Sequence, residues 1–165
     1  MSMETVKKIN YLKIYKSFLI ALIGTIFLAI SAKIKIPFYP VPMTMQTFVV
    51  LVIAVGFGWR LGVCTVALYL FEGIIGLPVF SGTPEKGIGI VYFTGTTMGY
   101  LIGFIVTVFI AGRFNYNNNI ITNFLKLSFA TSFIYLFGLF WLGSLIGWDK
   151  PIFKLGAEPF LLAEL

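Results

Sequence analysis

The chain has 165 residues, 59% of them apolar and 11% charged, with a mean hydropathy of +0.98. Soluble domains carry about 45–50% apolar and about 25% charged residues, so a water-soluble globule is excluded and lipid must be the solvent for most of the chain. The formal charge is +6, but the basic residues are dispersed at the ends of apolar runs, the pattern of membrane-flanking anchors, which argues against a nucleic-acid partner.

The N-terminal "METVKKINYLKIYK" is basic, yet the apolar run behind it is long and lacks a small-residue cleavage pattern, so it is not read as a cleavable signal. Residues 1–14 are read as a cytoplasmic segment. Charged residues then divide the chain into stretches near the roughly 20 apolar residues a span needs. The first is 17–32, between Lys16 and Lys33. The second, Pro37–Trp59, opens with three prolines, so its helix is expected to start near Thr44. The third, Leu61–Pro78, carries one acid, Glu72. The polar, Gly-rich "SGTPEKGIGI" leads to the fourth, Gly87–Gly112, with a helix expected from about Gly95. After the turn "RFNYNNN" the fifth runs from Ile120 to Leu145. Residues 144–165 form an amphipathic tail ending in "PFLLAEL", which reads as the first turn of a further, sixth helix. The expectation is an all-α, multi-pass bundle in a single transmembrane domain, with five spans and a sixth missing at the C-terminus.

Lys and Arg counts set the orientation. With the N-terminus in the cytoplasm, seven basic residues lie inside (Lys7, Lys8, Lys13, Lys16, Arg60, Arg113, Lys126) and five outside (Lys33, Lys35, Lys86, Lys150, Lys154). The proline segment, the "SGTPEKGIGI" loop and the tail then share the outer side.

Two stripes of small residues step by four: Ser17, Ala21, Thr25 and Ala29, and later Gly95, Gly99, Gly103 and Thr107. Such spacing lets helix backbones approach closely in lipid. Either stripe can pack within the bundle or dock on another membrane subunit. The first is the better docking candidate, because a terminal helix lies more easily at the bundle edge. On the third span Gly62, Thr65, Tyr69, Glu72, Gly73 and Gly76 share one face. A carboxylate at membrane depth costs at least a few kcal/mol and normally faces a cavity or a partner. Glu72 therefore either sits near the outer end, tied to a backbone amide or a lysine, or lines a polar cavity. Proline removes donors and fixes φ, so 37–42 is a stiff segment, either a connecting turn or a lid. Phe38 and Tyr39 provide apolar cover, and Thr44 and Gln46 lie just beyond.

There is no histidine, one cysteine (Cys64), no phosphate loop, no HExxH, and no Ser/His or Cys/His pair. No catalytic function, metal site or cofactor is expected, and the chain cannot itself hydrolyse ATP through a P-loop.

The stretches "PVPMTMQT", "GWRLGVCTVALYLFEGIIGLPVFSG", "TGTTMGYLIGF" and "GAEPFL" closely resemble the BioY family, the biotin-binding S components of energy-coupling factor (ECF) transporters. The resemblance runs in order from about residue 15 to the C-terminus. It implies a compact six-helix S-component fold in the bacterial cytoplasmic (inner) membrane, with biotin held near the outer face. It also implies a transmembrane T subunit, docked on the small residues of the first helix (Ser17, Ala21, Thr25, Ala29), and two ABC-type ATPases. For biotin, Thr44, Gln46, Tyr69 and Glu72 would serve the ureido ring, while Phe38, Tyr39, Phe80 and Tyr100 would cover the thioether ring and chain. The sequence departs from the family at its end. Where the family reads approximately P-F-x-P-G-D-x-x-K, this chain has Pro159, Phe160 and Glu164 in step, but Leu162 and Ala163 replace Pro-Gly and the lysine would fall beyond Leu165. Lys150 and Lys154 are possible substitutes at the carboxylate. Two other readings remain: an S component for another small vitamin, and a non-transporting structural or assembly subunit.

Overall fold

The computed structural model describes residues 3–36, 39–85, 87–116 and 119–158, with first-helix side chains from Tyr11 onward. Helix α1 spans Met3–Lys33. A short antiparallel hairpin follows, β1 (Lys35–Ile36) against β2 (Met43–Thr44), with Lys35 opposite Thr44 and Ile36 opposite Met43. Helix α2 covers Gln46–Ile74. A 3-10 helix at Gly89–Thr94 leads to α3 (Met98–Ala111), α4 (Ile120–Ile146) and the single turn α5 (Ile152–Gly156).

Local chemistry explains the boundaries. Asn119 caps α4, its side chain accepting the Thr122 backbone N–H at 3.2 Å, one of the orphan donors of a helix start. The same helix stops at Gly147, whose φ of 93° an L side chain resists. Residues 39–42 lie in the connection between the two hairpin strands, and the Tyr39–Pro40 peptide is cis. The hairpin is closed by Met45 N–H donating to Ile34 O at 3.1 Å.

The decisive feature of α2 is Gly58. Its φ of 71° and ψ of 173° lie outside the helical region, inside an otherwise helical run; this backbone conformation is essentially glycine's alone. A straight helix would put Gln46 and Tyr69 about 35 Å apart at 1.5 Å per residue. Their side chains instead share a 2.8 Å hydrogen bond. The two limbs, 46–57 and 59–74, therefore run antiparallel, and Gly62 packs on Ile53 across the reversal. Gly112 backs the turn, its carbonyl accepting the Trp59 N–H at 3.1 Å.

Among the described residues two unbroken helices are long and apolar enough to cross a membrane, Tyr11–Lys33 and Ile120–Ile146; Gln46–Ile74 has the length and composition only when counted through the reversal at Gly58. Only 28–33% of their most apolar windows is buried, so most of that apolar surface faces outward, as in a bundle solvated by lipid. The five expected spans thus reappear differently. The second and third are the limbs of α2, since a one-residue reversal at Gly58 needs no loop. The fourth is only 14 residues, because the chain through Gly89–Thr94 winds as a 3-10 helix and Gly95 is extended. The fifth matches its expected bounds within a residue. In the bundle α1 packs on α2, α2 on α3, α3 on α4 and α5 on α4. One apolar cluster, including Leu28, Val50, Tyr69, Phe104, Val108 and Ile134, lies between them.

Candidate functional site

The reversal at Gly58 brings the two ends of α2 to one end of the bundle, beside the hairpin. There Gln46 Nε2 donates to Tyr69 Oη at 2.8 Å, Tyr69 Oη–H donates to Val79 O at 3.1 Å, and Thr44 Oγ1 donates to Gln46 Oε1 at 3.2 Å. The Gln46 backbone N–H points at Thr44 Oγ1, at 3.4 Å. Gln46 is buried, and a buried amide left unpaired would cost about 1–3 kcal/mol. This relay is what makes that burial tolerable. Behind it, Tyr69 meets Phe80 edge-on at 5.2 Å, and Phe80 stacks on Tyr92 at 4.7 Å.

The loops over this end are tied down by side chains from distant elements. Lys33, in the last turn of α1, donates to Phe80 O (3.0 Å), Thr83 O (3.1 Å) and Thr83 Oγ1 (2.9 Å). Thr96 Oγ1 donates to Pro40 O at 3.1 Å, and Trp141 Nε1 donates to Gly95 O at 2.9 Å. Tyr100 Oη donates to Gly156 O at 2.8 Å, holding α5 against α3. Tyr92 Oη donates to Ser81 O at 2.8 Å. Burial pushes the Tyr92 phenol up, against a smaller lowering by its hydrogen bond with Thr97, so it stays a neutral donor. The proline segment, the 75–95 connection and the tail, expected on one side, do meet at one end.

Two spaces open here. A small cavity of about 50 Å³ is lined by Val41–Thr44, Gln46, Thr47, Ser81, Tyr92, Thr97, Tyr100, Leu101, Phe104, Ile134 and Tyr135. A wider, mostly apolar groove of about 890 Å³ runs between the hairpin, the first limb of α2 and α4, reaching Phe153 and Ala157. Met43, Thr44, Thr47 and Tyr135 line both, so the cavity and the groove adjoin. Ligand pockets typically measure about 300–1,000 Å³; the cavity alone is too small for a vitamin-sized molecule, and the groove is not.

The expected site residues divide. Thr44, Gln46 and Tyr100 line the cavity. Tyr69 and Phe80 stand directly behind it, Phe80 as a core ring packed over Gly73. Two more of the expected residues line neither space. Tyr39 is 92% exposed: the hairpin connection itself packs on the bundle, with Pro40, Val41 and Pro42 buried, and the Tyr39 side chain points away from it. Glu72 lines neither space; its Oε1 accepts from Thr25 Oγ1 of α1 at 2.9 Å. Three residues of helix rotate it about 60° from Tyr69, enough to face α1 instead. Glu164, Pro159, Phe160 and the sixth helix expected there lie outside the described residues, as does Phe38. Lys150 and Lys154 are exposed and line neither space.

Within the first stripe, Ala21 and Thr25 are buried, Ala29 is half-buried and Ser17 is exposed. Ser81, Tyr92, Thr97 and Tyr135 were not anticipated at the site. Ser81 falls in a polar loop and in the family-like stretch ending at Gly82, neither of which singles it out, Tyr92 lies in the approach to the fourth helix, and Tyr135 sits in an apolar run with no polar spacing to mark it.

The chemistry available is recognition. Hydroxyl, amide and carbonyl groups face a neutral cavity, and among the described residues no three His, Cys, Asp or Glu side chains gather as a metal site would require. A polar end of this kind, continuous with an apolar groove, suits a small ligand with a hydrogen-bonding head and an aliphatic tail.

Comparison with known proteins bears on the same point. The chain is 34% identical over 137 residues to the probable biotin transporter BioY of Pyrococcus horikoshii, covering 83% of this chain and 80% of that one. It is 34% identical over 144 residues to the biotin transporter BioY of Thermotoga maritima, covering 87% and 83%. Its fold matches the crystal structure of the S-component for biotin from an ECF-type ABC transporter, with a TM-score of 0.75 at 23% identity, over 92% of this chain and 83% of that one. The BioY family model matches residues 3–165. With the sequence resemblance, the fold and the family match in agreement, this chain belongs to the BioY family.

Proposed function

We propose that this chain is the biotin-binding membrane subunit of an uptake system, taking biotin at the hairpin end of the bundle and delivering it to the cytoplasm. The observation that carries the reading is the meeting of Thr44 and Gln46 at the small cavity, with the apolar groove beside it, in a chain whose relatives are named biotin transporters. The ureido ring has two N–H donors and a carbonyl acceptor. The Gln46–Thr44–Tyr69 relay exchanges bonds with it, and the thioether ring and valerate chain extend toward the groove.

In this reading the hairpin end faces outward from the bacterial cytoplasmic membrane and the N-terminus lies in the cytoplasm. Energy comes from outside the chain, which has no P-loop: a transmembrane T subunit and ABC-type ATPases supply it. The accessible part of α1 around Ser17, exposed on every side from Tyr11 to Ile20, supports T-subunit docking there.

Equilibrium binding of tritiated biotin to the purified protein in detergent tests the function. Saturable binding is expected, weakened by roughly 5- to 100-fold in Gln46→Ala, as for loss of a buried hydrogen bond. No saturable biotin binding, with tight binding of a different vitamin, would give the site another substrate. Binding of none, with unaltered uptake by Gln46→Ala cells, would make the chain a structural subunit.

A further inference from the structure

One polar group at the cavity has no assigned task. Ser81 is 4% exposed and lines the cavity. Its Oγ is shielded from solvent and is the one buried side-chain N or O among the described residues without a hydrogen-bond partner. Three phenol hydrogens near the cavity are spent elsewhere. Tyr92 Oη donates to the Ser81 carbonyl rather than its hydroxyl, Tyr69 donates to Val79 O, and Tyr100 donates to Gly156 O. The backbone that carries the serine is held in place. Lys33 and the Thr83 hydroxyl both donate to the preceding carbonyl, Phe80 O, at 3.0 and 2.7 Å, pinning the backbone on one side, and Tyr92 pins the serine's own carbonyl.

A buried hydroxyl normally finds a partner, and persistent exceptions mark places where a partner arrives from elsewhere. We propose that Ser81 is a ligand-contacting residue, its hydroxyl hydrogen-bonded to the polar head of the molecule that enters the cavity, a cyclic urea in the biotin reading. This inference rests on that reading. A hydroxyl carries one rotatable donor and two acceptor lone pairs, so it matches either a urea carbonyl or a urea N–H. It lines the same cavity as the Gln46–Thr44 pair but comes from a different segment of the chain, so the head is held from two elements rather than one. The competing occupant is an ordered water, for which a cavity of 50 Å³ has room, since one water needs only about 10–15 Å³.

Two measurements on Ser81→Ala separate these possibilities: biotin affinity by calorimetry, and thermal unfolding of the ligand-free protein. A ligand contact predicts opposite signs. Affinity falls by roughly 5- to 100-fold, while the unfolding temperature is unchanged or raised, because alanine removes a hydroxyl that has no partner when the site is empty. Ser81→Cys, close in size but a weak donor, should fall between the two in affinity. Biotin binding by the wild type with equal affinity in Ser81→Ala overturns the inference in favour of water and leaves the function standing. A parallel loss of affinity and unfolding temperature also overturns it, making the hydroxyl structural. Absence of biotin binding by the wild type overturns the function itself, and the role of Ser81 with it.

Discussion

Helices α3 and α1 carry the same signature, small residues four apart, and the bundle treats the two stripes differently. On α3 the stripe is consumed by α4. A Cβ at Gly103 would lie 2.6 Å from Ile134 Cα, one at Gly99 would fall on the Phe137 carbonyl, and Thr107 Oγ1 donates to Ala130 O at 2.9 Å. On α1 only the middle is used. Ala21 and Thr25 are buried, and Thr25 reaches Glu72, while Ser17 and its neighbours from Tyr11 to Ile20 are exposed. The contrast teaches that small-residue spacing encodes close approach without naming the partner. An element in the middle of the chain finds its neighbour within the bundle, whereas a terminal helix has a free length to offer.

The largest effect should come from breaking the α3 stripe. Gly103→Leu places a side chain against α4 backbone that cannot yield, and should destabilise the protein by about 3 kcal/mol, read as a fall in unfolding temperature and in detergent-extracted yield. A wild-type melting curve for this variant would mean that α3 and α4 are not in close contact. Next is the buried part of α1. Thr25→Val should cost about 1 kcal/mol, within the range for interhelical hydrogen bonds in membranes. Combining it with Glu72→Met, which leaves no acceptor, should cost less than the sum of the two singles, since both remove one contact; strict additivity would separate the pair. The smallest stability effect belongs to Ser17→Leu, expected within about 0.5 kcal/mol of wild type. If the free turn docks on a T subunit, the same variant lowers biotin uptake by cells while leaving biotin affinity unchanged. Equal loss of affinity and uptake would return Ser17 to the bundle interior.

Much of the fold was legible in advance because it depends on sums over neighbouring residues. The apolar runs and the charges that end them placed α4 within a residue and α1 with its Lys33 terminus. The three irregular connections were correctly gathered on one side, since helices of this length alternate direction. The site was legible in part. Thr44 and Gln46 stood out as polar groups at the mouth of an apolar helix, and both line the cavity. Glu72 stood out for the same reason and turned elsewhere, because a rotation of about 60° decides whether a side chain faces the cavity or α1. Nothing marked Ser81 in advance, since its significance is the absence of a partner, and partners are a property of the packed state.

Sequence alone determined the solvent, the helical class, the order of the elements and the family. These follow from composition, local periodicity and motifs whose meaning does not depend on who packs against whom. Only the tertiary structure decided which polar groups meet. Gln46 joins Tyr69 across 23 positions because Gly58 reverses the chain, and Lys33 and Thr25 reach partners 47 positions away. Such pairings are set by the angle of one turn and the rotation of each helix about its axis. Close packing settles both only when all the helices are in place.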